Sequence, residues 1–116
     1  MARQKLTALP AAAFHILLAL VDEDLHGYGI MRRVADDTDG RVRLGPGTLY
    51  TSIKSLLEEK LIVEIDPPAG SGTADERRRY YRLTTAGLKL ARREAERLAD
   101  LMRIARSRNI LGGEHG

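Results

Sequence analysis

The segment "GPGTLYTSIKSLLEEKLI", residues 45–62, decides the fold because a glycine-rich start leads directly into a regular amphipathic pattern. Leu49, Ile53, Leu56 and Leu57 recur at the spacing of one helix face, so they predict a buried stripe. The opposite face carries hydroxyl groups, a tyrosine and one lysine, and acidic residues appear only near its end. The pattern predicts a helix with one face in a core and a weakly charged, hydrogen-bonding face outside.

The start of this helix suits a close approach to a phosphate backbone. Gly45 and Gly47 remove side-chain bulk there, and Pro46 presets the angle at which the chain enters the helix. Exposed amides and the positive end of the helix dipole favour a nearby phosphate, although the segment alone also fits an ordinary amphipathic helix with a solvated face. The candidate DNA contacts are Thr48, Tyr50, Thr51 and Lys54, with Ser55 beside them and Arg41 and Arg43 just upstream.

Two helices are predicted before this segment and one long helix after it. Residues 10–21 are apolar almost all round, as in a helix that is buried on most sides. Residues 27–37 carry an inward stripe at helical spacing that includes Tyr28 and Val34. The last helix runs from about residue 86 to residue 107 and begins after a cap by one of the two preceding threonines, Thr84 or Thr85.

Strands are predicted where apolar and polar residues alternate. "RVRL", residues 41–44, gives a short strand, and residues 61–66 and 77–84 form a hairpin about a Pro- and Gly-rich loop. Helix, helix, short strand, helix, strand, loop, strand and long helix is the element order of a winged helix-turn-helix. We therefore expect a mainly α fold with a small β-hairpin wing. Its expected parts are a DNA-binding winged helix-turn-helix at 1–84, a C-terminal dimerisation helix at 85–108 and a flexible tail at 109–116.

The wing adds a second basic element. Arg77, Arg78 and Arg79 form a run at the base of the hairpin, and a two-stranded ribbon fits a DNA groove. The same run could be a solvated strand edge that Asp75 and Glu76 partly neutralise. Together with the acid-free helix start, the wing favours DNA binding. The alternative is a winged-helix protein-interaction module that does not bind DNA, for which exposed apolar anchors would be expected.

Amino-acid composition excludes several kinds of site and permits nucleic-acid binding. The net charge is +3 and the sequence pI about 9.5, which permits a nucleic-acid partner without requiring one. The absence of cysteine excludes disulfides, cysteine nucleophiles and thiolate metal sites. No apolar run reaches the roughly 20 residues of a membrane span, and no signal-peptide pattern opens the chain, so we expect a cytoplasmic protein. The three histidines, His15, His26 and His115, are scattered, and we expect no metal, no cofactor and no enzymatic activity.

Three stretches resemble a known family over about residues 9–90. "HGYGI" at 26–30, the segment at 45–62 and "RRRYYRLTTAG" at 77–87 are similar to the signature of PadR-like bacterial transcriptional regulators, in the same order and spacing. The resemblance implies a winged-helix DNA-binding dimer, usually a repressor controlled by a small-molecule effector, and a single helix after the wing resembles the small subfamily. It assigns DNA contacts to Thr48, Tyr50, Thr51, Lys54 and the wing arginines. We expect Arg3 and Lys5 of the N-terminal arm to be lesser contributors.

Two positions depart from the family pattern. Lys60 replaces a usual glycine after the recognition helix, so we expect a less sharp helix end. Thr51 replaces a frequent proline, so we expect a changed base preference. The family also implies an effector pocket between the first and last helices of a dimer, and the lack of tryptophan argues against an aromatic-stacking site there.

The last helix carries a heptad seam, so we read it as a dimer arm. It would pack with the first helix of a partner around Phe14, Leu17 and Val21, although the helix could instead fold back on its own domain. A twofold dimer would place two recognition helices about 34 Å apart, which predicts a pseudo-palindromic operator. The seam consists of Thr84, Leu88, Ala91, Ala95, Leu98, Met102 and Ala105.

Overall fold

The computed structural model describes residues 9–68 and 79–111, and it confirms a mainly α winged-helix architecture. The helices are α1 (Ala11–Ala19), α2 (Gly27–Asp37), α3 (Pro46–Glu58) and α4 (Thr85–Ser107), and the strands are β1 (Leu25–His26), β2 (Ile62–Ile65) and β3 (Tyr80–Leu83). Within the described residues the strands form one antiparallel sheet in the order β1-β3-β2.

The core lies where α1, α2, α3 and the sheet meet. Ile16, Ile30, Leu49 and Ile62, one from each of these elements, are all at most 2% exposed. The predicted stripe of α3 is confirmed at Leu49, Ile53 and Leu56, while Leu57 is only partly buried against the core. Because one face of α3 is held by this core, the opposite face is turned outward along the whole helix.

The strand predicted at residues 41–44 is wrong. These residues form no strand, and the third strand of the sheet is instead β1, in which Leu25 pairs with Tyr81 of β3. Val42 and Leu44 pack partly against the core while the two arginines between and before them are exposed. The alternation in "RVRL" therefore records which side chains of a loop are buried, and it does not record strand pairing.

The end of α3 is sharp, so the expectation of a blurred end is wrong. Lys60 adopts a left-handed backbone conformation with φ 62°. The amide of Leu61 donates to the carbonyl of Leu56 at 2.9 Å, and that of Lys60 donates to Leu57 at 3.0 Å. This pair of hydrogen bonds is the Schellman motif, which glycine favours at the left-handed position. Lys60 adopts this conformation although it is strained for a residue with a Cβ, and the helix ends there.

The start of α4 is hydrogen-bonded to, and packs closely against, the segment that ends α3. Thr84 is the N-cap, and its hydroxyl accepts from the amide of Gly87 at 3.0 Å. The same hydroxyl donates to the carbonyl of Lys60 at 2.9 Å. A Cβ on Gly87 would collide with the carbonyl oxygen of Leu61, so only glycine lets the helix pack this closely. The end of α3, the end of β3 and the start of α4 are thus joined at one point.

Candidate nucleic-acid interface

The four predicted contacts of α3 lie together on its exposed face. Thr48, Thr51 and Lys54 follow one another on successive turns, and Tyr50 stands one turn before Lys54. All four are exposed, and Tyr50 keeps 53% of its surface accessible. Three of them carry a hydroxyl and one carries a cation. The face can therefore donate several hydrogen bonds to an anionic surface while it contributes a single positive charge.

Packing among the described residues does not require the two glycines at the start of α3. A Cβ built on Gly45 or Gly47 would meet no atom of the described residues within 4 Å. Neither glycine has a positive φ, so neither backbone conformation demands glycine. Gly47 lies inside the first turn of α3, where glycine costs up to about 1 kcal/mol relative to alanine. The open space in front of these glycines fits the close approach of something outside the chain.

Two cations on this side of the molecule have no ion-pair partner among the described residues. Within residues 9–68 and 79–111, neither Arg43 nor Lys54 makes an ion pair. Arg43 is exposed, and its guanidinium lies over the left-handed turn at Gly40. By contrast, Arg82 of β3 is held by both carboxylate oxygens of Asp24, at 3.1 and 2.8 Å. The positive charge near α3 thus remains available to an external anion.

The wing brings one predicted arginine to the same region. Arg79 is exposed directly before β3, and its guanidinium is 3.6 Å from Glu64 of β2, a solvent-exposed pair that holds it weakly. Burial raises the pKa of Tyr81, Glu64 and Tyr50 raise it further, and Arg79 lowers it. Tyr80, the residue after Arg79, packs edge-on against the ring of His26 with the centroids 5.1 Å apart. The base of the wing therefore lies beside the start of α2, over which the hydroxyl of Tyr50 reaches from α3.

Several predicted contacts fall outside the described residues. Arg77 and Arg78 of the wing and Arg3 and Lys5 of the N-terminal arm belong to this group. Their assignment as DNA contacts stays a prediction.

The assignment of Tyr28 to the buried stripe of α2 is wrong. Its side chain is 56% exposed, and the guanidinium of Arg32 lies 5.8 Å from its ring centroid. An aromatic residue and an arginine four residues apart on a helix form a neighbouring pair, and this spacing was the signal available in the sequence. A second missed contact joins α2 to α3, because the hydroxyl of Tyr50 lies over Gly27.

The predicted dimer seam divides into two halves. Leu17 and Ala91 lie in the core of the chain itself, at 0% and 4% exposure, so they offer no surface to a partner. Phe14 and Leu88 are half-buried, and Phe14 packs against the same core. The first half of α4 thus folds back on its own domain, as the alternative interpretation held. The second half is open, with exposed or half-exposed apolar side chains at Ala95, Leu98, Leu101, Met102, Ile104 and Ala105.

Two other features, a metal site and a membrane span, are absent from the described residues. No group of three or more histidine, aspartate or glutamate side chains there is arranged to hold a metal ion. In the same residues, no helix is both long enough and apolar enough to cross a membrane.

The family of this chain is shown by a model that matches most of its length. Residues 16–93, more than half of the chain, match the "Transcriptional regulator PadR-like family". An uncharacterised 37.1 kDa protein from a transposon of Streptomyces fradiae is 36% identical over 86 residues, which are 74% of this chain. The chain spans 22% of the length of that relative.

Solved structures share the fold at low sequence identity. A transcriptional regulator from Clostridium thermocellum is 24% identical, with a TM-score of 0.70 over 83% of this chain and 87% of that chain. A PadR family transcription regulator from Clostridium difficile is 20% identical, with a TM-score of 0.71 over 84% of this chain and 97% of that chain. Bacillus subtilis PadR, solved in complex with operator DNA, is 22% identical, with a TM-score of 0.59 over 72% of this chain and 46% of that chain.

Proposed function

The chain belongs to the PadR-like family of transcriptional regulators, and on this premise we propose that it regulates transcription by binding specific sequences in double-stranded DNA. The observation that carries the proposal is the start of α3. It combines two glycines that no contact among the described residues requires with a row of exposed hydrogen-bond donors. Its lysine, Lys54, makes no ion pair within the described residues. The structure of Bacillus subtilis PadR in complex with operator DNA supports the same partner.

In the proposed complex, α3 enters the major groove by its N-terminal end. The backbone amides of its first turn and the hydroxyls of Thr48 and Thr51 would face phosphates or base edges, and Lys54 would contact the phosphate rim. The wing would lie along the adjacent backbone. Its contacts would be Arg77, Arg78 and Arg79, with Arg43 contributing from the loop before α3.

The proposed assembly is a homodimer that recognises a pseudo-palindromic operator. The second half of α4 exposes Leu101, Met102 and Ile104. Leu18 of α1 and Val21, two residues after α1, are also exposed. If α4 packs against these residues of a second copy, both apolar surfaces leave water, which favours association. Two copies of α3 about one DNA turn apart would then read two half-sites.

The proposed action is repression that a small-molecule effector releases. A dimer on its operator occupies DNA that the transcription machinery needs. A ligand bound between α1 and the partner's α4 would change the spacing of the two recognition helices, and operator affinity depends on that spacing. The family resemblance supports this step, and in the proposed dimer the ligand would contact exposed apolar side chains near α1 and on α4.

The test is a selection of duplexes from a random library, followed by fluorescence anisotropy of the enriched duplex over a salt series. We expect an inverted repeat to be enriched, with binding that weakens steeply as salt rises. Lys54→Ala should weaken binding and reduce the salt slope by about two per dimer, because each of the two copies loses one phosphate contact.

Lys89→Ala is the matched control, because Lys89 is an exposed lysine on α4. It should leave the salt slope unchanged. Enrichment of no sequence, or equal losses in the two lysine variants, would leave only non-specific attraction and overturn the proposal in favour of a protein-interaction module.

A further inference from the structure

The contact between Gly27 and Tyr50 joins α2 to the recognition helix. A Cβ built on Gly27 would lie 2.5 Å from the hydroxyl oxygen of Tyr50, 3.0 Å from its Cζ and 3.2 Å from its Cε1. The side chain of Tyr50 therefore leans from α3 onto the first residue of α2. Gly27 is buried under it, while about half of the tyrosine surface stays exposed.

No other feature of the described chain requires glycine at residue 27. Its φ is not positive, so an L side chain could adopt the same backbone conformation. The three atoms nearest to the added Cβ all belong to Tyr50. The cap of α2 is supplied separately, since the Nδ1 atom of His26 accepts from the amide of Gly29 at 3.0 Å. The missing Cβ thus serves the position of the tyrosine.

The Tyr50 side chain that a Cβ on residue 27 would meet can move away. The hydroxyl end of a half-exposed tyrosine can rotate into solvent, unlike the backbone carbonyl that confronts Gly87. Alanine at residue 27 should therefore displace the ring of Tyr50 and leave the fold intact. The ring would swing over the outward face of α3, on which Thr51 and Lys54 also lie.

We infer that Gly27 is a positioning residue that seats Tyr50 against α2 and so sets the direction in which the tyrosine meets DNA. This inference rests on the proposed function. A seated side chain loses less rotational freedom when the complex forms than a free one does. Loss of the seat should therefore lower operator affinity, by about 2- to 10-fold for one side chain that must be ordered on binding.

The first test needs no DNA. In an NMR spectrum of the free protein, we expect nuclear Overhauser contacts between the α protons of Gly27 and the ring of Tyr50. In Gly27→Ala these contacts should disappear and the ring resonances should shift toward those of an exposed tyrosine, with the melting curve still cooperative. Unchanged ring resonances in the variant would overturn the inference whether or not the protein binds DNA.

The second test is a double-mutant cycle on operator affinity. Gly27→Ala should weaken binding in the wild-type background and have no further effect in a Tyr50→Ala background, because its effect passes through the ring. Gly29→Ala is the matched control, since an added Cβ there would first meet Leu25 and not Tyr50. Equal losses from Gly27→Ala in both backgrounds would overturn the inference, while a loss in Lys54→Ala would show that the proposed function still holds.

Discussion

At the scale of single residues, Lys60 shows that a helix end can be specified by its surroundings. The left-handed conformation at φ 62° destabilises a residue with a Cβ by about 1–2 kcal/mol, and Lys60 nevertheless adopts it. The carbonyl of Lys60 accepts from the hydroxyl of Thr84 at 2.9 Å, and the bond from Leu61 to Leu56 closes the helix. The tertiary contacts around α4 thus hold a conformation that the lysine itself disfavours.

We expect Lys60→Gly to stabilise the protein by about 0.5–1 kcal/mol, because the relief of left-handed strain exceeds the added freedom of the unfolded chain. The measurement is the free energy of unfolding from urea titration. Lys60→Ala is the control, since it removes the charge and keeps the Cβ. A glycine variant no more stable than the alanine variant would show that the strain at this position is negligible.

At the scale of elements, Glu94 links the last helix to the segment before the first helix. Its side chain is 8% exposed, and its carboxylate accepts from Nε and Nη2 of Arg97 at 3.0 and 2.6 Å. The backbone of Leu9 also hydrogen-bonds to it. The hydrogen bond with Arg97 lowers the pKa of Glu94 most, against the opposing effect of burial. A buried carboxylate of this kind ties the segment before α1 to α4.

We expect acid to weaken this tie. Because the pKa of Glu94 is lower in the folded chain than its usual 4.5, its stabilising contribution is present above pH 4.5 and is lost as the pH falls through the folded value. Glu94→Gln should therefore be less stable than the wild type at pH 7 and should approach it at pH 3. The measurement is the urea midpoint at both pH values, and a constant difference between the two proteins would contradict the assignment.

The helices were predictable from sequence because their signals are local. The stripe of Leu49, Ile53 and Leu56 fixes the inner face of α3, and the outer face with its predicted contacts follows from it. Strand β1 has two residues, and it exists only because Leu25 meets Tyr81 far along the chain, so no local pattern could indicate it. The seat of Tyr50 was missed for the same reason, since it depends on how two helices pack.

At the scale of the whole molecule, the two halves of α4 differ in burial. Its first half buries Ala91 and Glu94 against the domain, and its second half exposes Leu101, Met102 and Ile104. A helix of 23 residues is about 34 Å long, which exceeds what the small domain covers. The heptad seam predicted from the sequence did not distinguish these halves, because periodicity shows which residues share a face and not what covers that face.

We expect the wild-type chain of 12.9 kDa to have twice that mass in solution, and Met102→Glu to have the mass of one chain. A charge placed in an apolar interface must be desolvated without a partner, which opposes association. The measurement is light scattering after size exclusion, with circular dichroism to show that the helices persist. Val63→Glu is the control, because Val63 is exposed on β2 and should leave the dimer intact. A wild-type protein that stays monomeric at tens of micromolar would contradict the assembly.

The most direct test of the central claim, that the start of α3 meets DNA, is to measure the stability and the operator affinity of Gly47→Ala together. The fold leaves the space at this position open, so alanine should raise the stability by up to about 1 kcal/mol. The same Cβ would stand between the helix and the phosphate backbone, so operator affinity should fall about tenfold, or about 1.4 kcal/mol. Higher stability with unchanged affinity would contradict the account, because the open space would then face no DNA.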